Sequence, residues 1–134
     1  MTKDLIRTSV RSGALWEPLV GYSRAVRVGP YIAVSGSAAV DVDGKLLGHG
    51  DAYLQAQRCI EVIQNALEEA GASLRDVVRT RIFVTDIEQW AEISRAHREA
   101  FGEVMPATSM VQVTRLIDPA MLVEIEADAI VCSD

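Results

Sequence analysis

The sequence predicts an α+β fold in which two helices cover one face of a mixed β-sheet. Two segments carry apolar residues at the 3/4 spacing of a helix buried along one stripe, and five others are rich in β-branched residues. The 134 residues are 49% apolar and 24% charged, which is the balance of an ordinary soluble globular protein. We therefore expect one domain over residues 1–134.

The strands and helices are expected in the order β-β-α-β-α-β-β, with a short extra strand near Leu5. The first two strands, residues 23–28 and 31–35, flank the turn pair Gly29-Pro30. Strand-helix-strand crossovers are right-handed, so two of them place both helices on the same face of the sheet. The later strands are predicted at residues 77–85, 109–116 and 121–131.

Capping residues delimit the two helices. The first is expected to begin after Asp51, an N-cap residue, and to end before Gly71, a C-cap residue. The second covers residues 88–101 and ends at Gly102. Its buried stripe is predicted to consist of Trp90, Ile93, His97 and Phe101.

The face of the sheet opposite the helices has no cover within the chain. Because many strand residues are apolar, this face is expected to be buried against another subunit, which predicts a homo-oligomer. The alternative is that a strand switches sheets and covers the gap itself. The apolar residues behind this expectation are Val77, Phe83, Val111, Val113, Met121, Val123, Ile125, Ala127 and Ala129.

Charge and terminal composition count against several partners. Thirteen basic and 19 acidic residues give a net charge of −6, which disfavours binding to a nucleic acid. No stretch approaches the ~20 apolar residues of a membrane span. Residues 1–10 have no apolar core of a signal peptide, so we expect a cytoplasmic protein without membrane contact.

The cysteines and histidines suggest no metal or cofactor. Cys59 lies on the apolar stripe of the first helix, where a free buried thiol is expected, and nothing requires a disulfide with Cys132. His49 and His97 are the only histidines, and neither has a partner at metal-ligand spacing.

The last strand carries three alternating carboxylates. Glu124, Glu126 and Asp128 share one face of this strand. Such a row is typical of a solvated surface, and the alternative is that one carboxylate borders a cleft and activates water. Arg79 and Arg81 share a face of an earlier strand, where ion pairing with these carboxylates is the structural interpretation.

Residues 106–109 connect the second helix to a strand and offer two hydroxyls, those of Thr108 and Ser109. Loops at such positions often carry binding groups. No histidine or lysine adjoins them in sequence to activate a hydroxyl. A plain connector is therefore the simpler interpretation.

Several segments together resemble the RidA/YjgF family, the reactive-intermediate deaminases that are also labelled L-PSP endoribonucleases. The similar segments run in order along nearly the whole chain. They are Tyr31-Ile32-Ala33-Val34-Ser35-Gly36, Gly71-Ala72-Ser73-Leu74, Asp76-Val77-Val78-Arg79, Phe83-Val84-Thr85-Asp86, Pro106-Ala107-Thr108-Ser109 with the strand that follows, and Glu124-Ile125-Glu126-Ala127.

The resemblance implies a chorismate-mutase-like α+β fold that assembles as a homotrimer around a central barrel, with three clefts at subunit interfaces. It also implies hydrolysis of reactive imines and enamines to ammonia and a carbonyl product. In such proteins an Arg holds the substrate carboxylate, and a Glu on the last strand positions the attacking water.

The family's site residues carry over only in part. The water-positioning Glu falls on Glu124, the cleft Tyr on Tyr22, and the Ser-Gly pair on Ser35 and Gly36. The position of the carboxylate-binding Arg is occupied by Thr108. The resemblance also implies site positions at Met110, where many members have Cys, and at Ser94, where many have Asn.

The missing Arg changes the expected substrate. A bidentate Arg-carboxylate pair is strong and oriented, whereas a Thr hydroxyl offers one neutral hydrogen bond worth on the order of 1 kcal/mol. We therefore expect weak activity on 2-imino acids unless another Arg enters the cleft, with Arg24 the first candidate and Arg81 the second.

Three hypotheses follow from the resemblance. The leading one is a trimeric hydrolase of imine, enamine or related C–N intermediates that binds a small metabolite. The second is a non-catalytic ligand-binding or regulatory trimer. The third is a ribonuclease or translation inhibitor, and the acidic net charge counts against it.

Overall fold

One six-stranded sheet forms the centre of the computed structural model, which describes residues 5–132. The strand order is β1-β2-β3-β6-β4-β5. β4 and β5 run parallel, and the other neighbouring pairs run antiparallel. The strands are β1 (Arg7–Val10), β2 (Ala25–Val28), β3 (Tyr31–Ser37), β4 (Val77–Val84), β5 (Ala107–Gln112) and β6 (Val123–Ile130).

Two long helices cover one face of this sheet, as the sequence predicts. They are α2 (Ala52–Glu69) and α3 (Trp90–Phe101), and a short helix α1 (Trp16–Val20) precedes β2. α2 packs against β3, β6 and α3. Its buried side chains repeat every three or four residues, because this spacing keeps them on one stripe. The stripe comprises Ala52, Gln55, Ala56, Cys59, Ile60, Ile63, Ala66 and Leu67.

The predicted ends of α2 are confirmed. The side chain of Asp51 accepts a hydrogen bond from the backbone N–H of Leu54 at 3.0 Å, which satisfies one free donor of the first turn. Gly71 adopts a left-handed conformation at φ 84°, and the Ala72 N–H returns to the Leu67 carbonyl. Arg27 donates to the Ala70 carbonyl at 2.7 Å, so a cation caps the negative end of the helix dipole.

Several predicted element boundaries shift, and one residue that was predicted to be buried is exposed. The extra strand near Leu5 is β1, whereas α1 was not predicted from the sequence. α3 begins at Trp90, because a 3-10 turn at Ile87–Gln89 occupies the start of the predicted helix. Trp90 is 58% exposed, so it lies outside the buried stripe that contains Ile93 and Phe101.

The face of the sheet without helices is more polar than expected. Five of the apolar residues assigned to it, Val77, Val123, Ile125, Ala127 and Ala129, instead point towards the helices and are buried there. The sequence pattern cannot say which set of an alternating strand faces the helices. The uncovered face, called the open face below, carries Glu124, Glu126, Asp128, Arg79, Arg81, Phe83, Ser109 and Val111 on its central and edge strands.

Both cysteines are free, as expected. Cys59 is buried within the stripe of α2, and burial raises the pKa of its thiol, so it stays protonated. Cys132 is exposed. Across residues 5–132, no helix combines the length and the apolar character needed to cross a membrane.

Candidate functional site

An irregularity in β3 brings the predicted Ser-Gly pair against Glu124. The register between β3 and β6 shifts between Val34 and Ser37, so β3 holds one residue more than its partner. Gly36 in this bulge leaves room for the carboxylate, because a Cβ atom there would lie 2.7 Å from Glu124 Oε2. A residue with a side chain at position 36 would force the carboxylate to move.

The segment before β2 is tied to the same bulge. Ser35 Oγ donates to the Ser23 carbonyl at 2.7 Å, and the Ser35 N–H donates to the Arg24 carbonyl at 3.0 Å. Arg24 Nη2 donates to the Gly36 carbonyl, and its guanidinium carbon lies 5.8 Å from the centre of the Tyr22 ring. We call Tyr22, Arg24, Ser35, Gly36 and Glu124 the bulge cluster.

Burial and neighbouring charges shift the pKa of Glu124 in the bulge cluster. Burial raises the pKa of Glu124, the positive charge of Arg24 opposes that rise, and the negative charge of Glu126 adds to it. Arg24 is itself buried, at 9% exposure, and its Nε atom has no hydrogen-bond partner in the described part of the chain. A half-buried carboxylate beside a cation has the electrostatic environment of a general base, because burial raises its pKa and the cation lowers it.

A cleft of about 670 Å³ opens beside the bulge cluster on the open face. Tyr22 and Ser35 line it, together with Glu126 and Asp128. Arg81 bridges these two carboxylates, at 3.3 Å from Glu126 and 3.1 Å from Asp128. The ion-pair interpretation of Arg81 is therefore confirmed, and its charge is already engaged within the strand pair.

The other predicted site residues line a different cleft, which we call the edge cleft. It has a volume of about 470 Å³ and lies between α3 and β5 at the edge of the sheet. Three of the predicted site residues, Ser94, Thr108 and Met110, line it. Arg98 and Met105 also border it, and Met105 has a positive φ of 55°, an unusual conformation for a residue other than glycine.

A hydrogen-bonded chain runs from the helix layer to Thr108. Thr80 Oγ1 lies 2.9 Å from His97 Nε2 and 2.8 Å from Thr108 Oγ1. Thr80 is fully buried on β4, and burial lowers the pKa of His97. No histidine adjoins Thr108 in sequence, but the fold connects Thr108 to His97 through Thr80, a residue 28 positions away in sequence.

The bulge cluster and the edge cleft lie on opposite faces of the sheet. Glu124 pairs with Phe83 of β4, whereas Thr108 pairs with Thr80. Phe83 and Thr80 are an odd number of residues apart on one strand, so their side chains point to opposite faces. One copy of the chain therefore separates its predicted water-positioning residue from Thr108.

Side chains that could bind a metal ion do not cluster together within residues 5–132. No group of three or more His, Cys, Asp or Glu residues there is placed to hold a metal ion. The titratable groups that line the two clefts are carboxylates, guanidinium groups, one imidazole and the phenol of Tyr22. The chemistry available to them is hydrogen bonding and proton transfer.

A family model described as Endoribonuclease L-PSP matches residues 13–131, which is most of the chain. This chain belongs to the RidA/YjgF family. A RutC family protein of Pyrococcus abyssi is 40% identical over 129 residues, covering 96% of this chain and 98% of that protein. The 3-aminoacrylate deaminase RutC of Acinetobacter baylyi is 35% identical over 112 residues, covering 84% of this chain and 88% of that protein.

Solved structures of family members have the same architecture. A member of the YjgF/YER057c/UK114 family from Mycobacterium tuberculosis has a TM-score of 0.86 at 50% identity, covering 94% of this chain and all of that one. The YjgF gene product of E. coli has a TM-score of 0.78 at 28% identity, covering 96% and 98% of the two chains. The α+β fold that the resemblance implies is therefore confirmed.

Sequence reasoning missed two residues at the edge cleft. Thr80 and His97 carry no local motif, and His97 looks like one more member of a helical stripe. The available signal was alternation: Arg79 and Arg81 flank Thr80, so Thr80 points to the face of the sheet opposite these two charged side chains. Its polar side chain there needs a partner, and His97 and Thr108 provide two.

Proposed function

We propose that this protein hydrolyses small imine or enamine intermediates in clefts that subunits of a homotrimer share. In the reaction, water adds to the carbon of a C=N bond and the resulting carbinolamine loses ammonia. The nitrogen gains the protons that water gives up, and the carbon is left as a carbonyl. The name of the Acinetobacter relative, 3-aminoacrylate deaminase, supports loss of an amino group as the reaction class.

The placement of Glu124 carries this proposal. Its carboxylate is half-buried against Gly36, where a proton acceptor can hold one water molecule in a fixed direction. The cation of Arg24 favours the ionised form that can accept a proton from that water. Tyr22 and Ser35, at the rim of the adjoining cleft, would orient the substrate.

The proposal that subunits share each cleft rests on the sheet, which separates the predicted site residues of one subunit into two groups. Ser94, Thr108 and Met110 lie on the helix-facing side, and Glu124 lies on the open face. A substrate that contacts both groups must lie between one subunit's edge cleft and another subunit's bulge cluster. The open face carries two apolar side chains that support such an assembly, Phe83, which is half-buried, and Val111, which is exposed.

The substrate group facing Thr108 is proposed to be uncharged. At position 108 a carboxylate would meet a hydroxyl instead of a guanidinium and would lose a charge-assisted, two-pronged contact, which leaves Arg98 as the cation that borders the edge cleft. Arg24 is tied to the Gly36 carbonyl and Arg81 to two carboxylates, so each already has partners in its own subunit.

The test compares Glu124→Gln with Glu69→Gln, an exposed carboxylate on α2 outside both clefts, in hydrolysis of imines generated in solution. An amino-acid oxidase supplies 2-imino acids, and a flavin-dependent amine oxidase supplies neutral imines. We expect faster hydrolysis of the neutral imines, a loss of about 10²-fold or more in Glu124→Gln, and near wild-type rates in Glu69→Gln. Equal loss in both variants, or no acceleration of either imine, would count against the proposal.

The ribonuclease hypothesis, the third of those that the sequence suggested, has the support that the family model carries that description. The chain's net charge of −6 opposes phosphate binding. RNA cleavage by a metal-free preparation that Glu124→Gln abolishes would favour it over imine hydrolysis.

A further inference from the structure

The hydrogen bonds that reach Thr108 have a property that an arginine at this position would lack. Thr80 has one hydroxyl proton and two close neighbours, His97 Nε2 and Thr108 Oγ1. Each of these two contacts needs one proton between its heavy atoms. The direction of one bond therefore fixes the direction of the other.

Two arrangements satisfy this chain. When His97 carries a proton on Nε2, His97 donates to Thr80 and Thr80 donates to Thr108, so the proton of Thr108 is free. When His97 carries its proton on Nδ1, Thr80 donates to His97 and Thr108 donates to Thr80. The edge cleft then meets only the lone pairs of Thr108, which accept hydrogen bonds.

In the first arrangement the free proton has a weak partner within the protein. Thr108 Oγ1 lies 3.3 Å from the Pro106 carbonyl, which is long for a hydroxyl donor. A better acceptor in the edge cleft could take this proton at small cost. Thr108 itself is exposed at the sheet edge and lines the edge cleft.

We propose that Thr80 and His97 are positioning residues that let Thr108 act as donor or acceptor towards an uncharged C=N or C=O group in the edge cleft. The inference rests on the proposed function and deepens it, because it assigns the polarity of the substrate group at that site. An imine N–H needs an acceptor and the carbonyl product needs a donor. The reversible chain supplies both without a charge.

The tautomer of His97 reports the direction of the chain, and nitrogen NMR of the imidazole reads it directly. Two neutral probes of similar size are titrated into the assembled protein: acetone, which only accepts, and pyrrole, whose N–H only donates. We expect acetone to enrich the Nε2–H form and pyrrole to enrich the Nδ1–H form. His49, the other histidine, is exposed and serves as the internal control.

Variants separate positioning from structural support. Thr80→Val keeps the shape of the side chain and breaks the chain, so the His97 tautomer should stop responding to either probe. Thr80→Ser restores the hydroxyl and the response. Thr108→Val, at an exposed position that the fold tolerates, should weaken acetone binding about fivefold, the worth of one neutral hydrogen bond.

Each other outcome overturns the proposal. The first such outcome is that neither probe binds, and the second is that both probes shift the His97 tautomer in the same direction. The third is that the tautomer of Thr80→Val responds to the probes as in the wild type. If Thr80→Val does not fold, the same response in Thr108→Val counts instead. Tighter binding of propionate than of propionamide that Arg98→Gln abolishes would place an anion clamp at Arg98 instead. Opposite tautomer shifts without imine hydrolysis would keep this inference and remove the proposed function. Imine hydrolysis without opposite tautomer shifts would keep the proposed function and remove this inference.

Discussion

A single missing methyl group decides where the carboxylate of Glu124 can lie. Gly36 does not have a positive φ, so alanine there is free of backbone strain, but its Cβ would lie 2.7 Å from Glu124 Oε2. We expect Gly36→Ala to displace the carboxylate by about an ångström and to lower kcat by about 10²-fold. Steady-state kinetics with a neutral imine measures this loss.

The matched control for Gly36→Ala combines it with a shorter acidic side chain at position 124. Adding Glu124→Asp withdraws the acidic group by one methylene, so the double variant should relieve the clash. We expect the two changes to be non-additive, with the double variant losing less activity than the product of the two single losses. Independent effects of the two substitutions would show that Gly36 and Glu124 do not act together.

Arg24 lowers the pKa of Glu124 against the larger effect of burial. Its cation opposes the rise in the Glu124 pKa that burial causes. Activity that depends on the ionised carboxylate falls as pH drops through that pKa, so removing the cation moves the acidic limb of the profile to higher pH. We expect this shift in Arg24→Gln, a smaller one in Arg24→Lys, and none in Arg27→Gln, measured as kcat/KM against pH.

At the scale of the elements, one helix side chain anchors two loops, the one before α2 and the one before β6. Gln55 of α2 is fully buried, and its amide donates to the carbonyls of Gly48 and Ala120, each at 3.1 Å. Its Oε1 accepts from the Leu122 N–H at 2.8 Å. Three backbone groups of two loops thus depend on one side chain.

Gln55→Met leaves these backbone groups buried without partners. We expect it to lower the free energy of unfolding by about 2–4 kcal/mol, measured by urea denaturation. The control is Gln57→Met, on the exposed side of the same helix, for which a change within about 0.5 kcal/mol is expected. A small loss in Gln55→Met would mean that water replaces the amide.

The elements that could be predicted from the sequence are those with local signals. Asp51 and Gly71 mark the ends of α2 because caps depend on residues within one helical turn. The short helix Trp16–Val20 has too few residues for a hydrophobic period, and α3 loses its first residues to a 3-10 turn. Neither feature has a periodic signal to detect.

The site could be predicted only where the family resemblance supplied it. Periodicity grouped Glu124, Glu126 and Asp128 without choosing among them, and Glu124 is the one that meets Gly36. The role of Thr80 is invisible in sequence because its partners come from α3 and β5. Long-range pairing of strands brings them together, and no local pattern records it.

At the scale of the whole molecule, the open face is the surface that assembly would cover. Val111 lies there with 47% exposure, and Leu54 lies on α2 with 46% exposure. We expect Val111→Glu to reduce the mass in solution from that of three 14.6-kDa chains to that of one, because a charge would be buried between subunits. Leu54→Glu should leave the mass unchanged, as measured by light scattering.

One subunit's Glu124 is proposed to act together with another subunit's Thr108. Mixing Glu124→Gln chains with Thr108→Phe chains tests it, since neither variant has an intact cleft alone. In random mixed trimers with shared clefts, about a quarter of all clefts regain both native residues. We expect hydrolysis of a neutral imine to return to about that fraction of the wild-type rate, and a mixture as inactive as its two components would contradict a shared cleft.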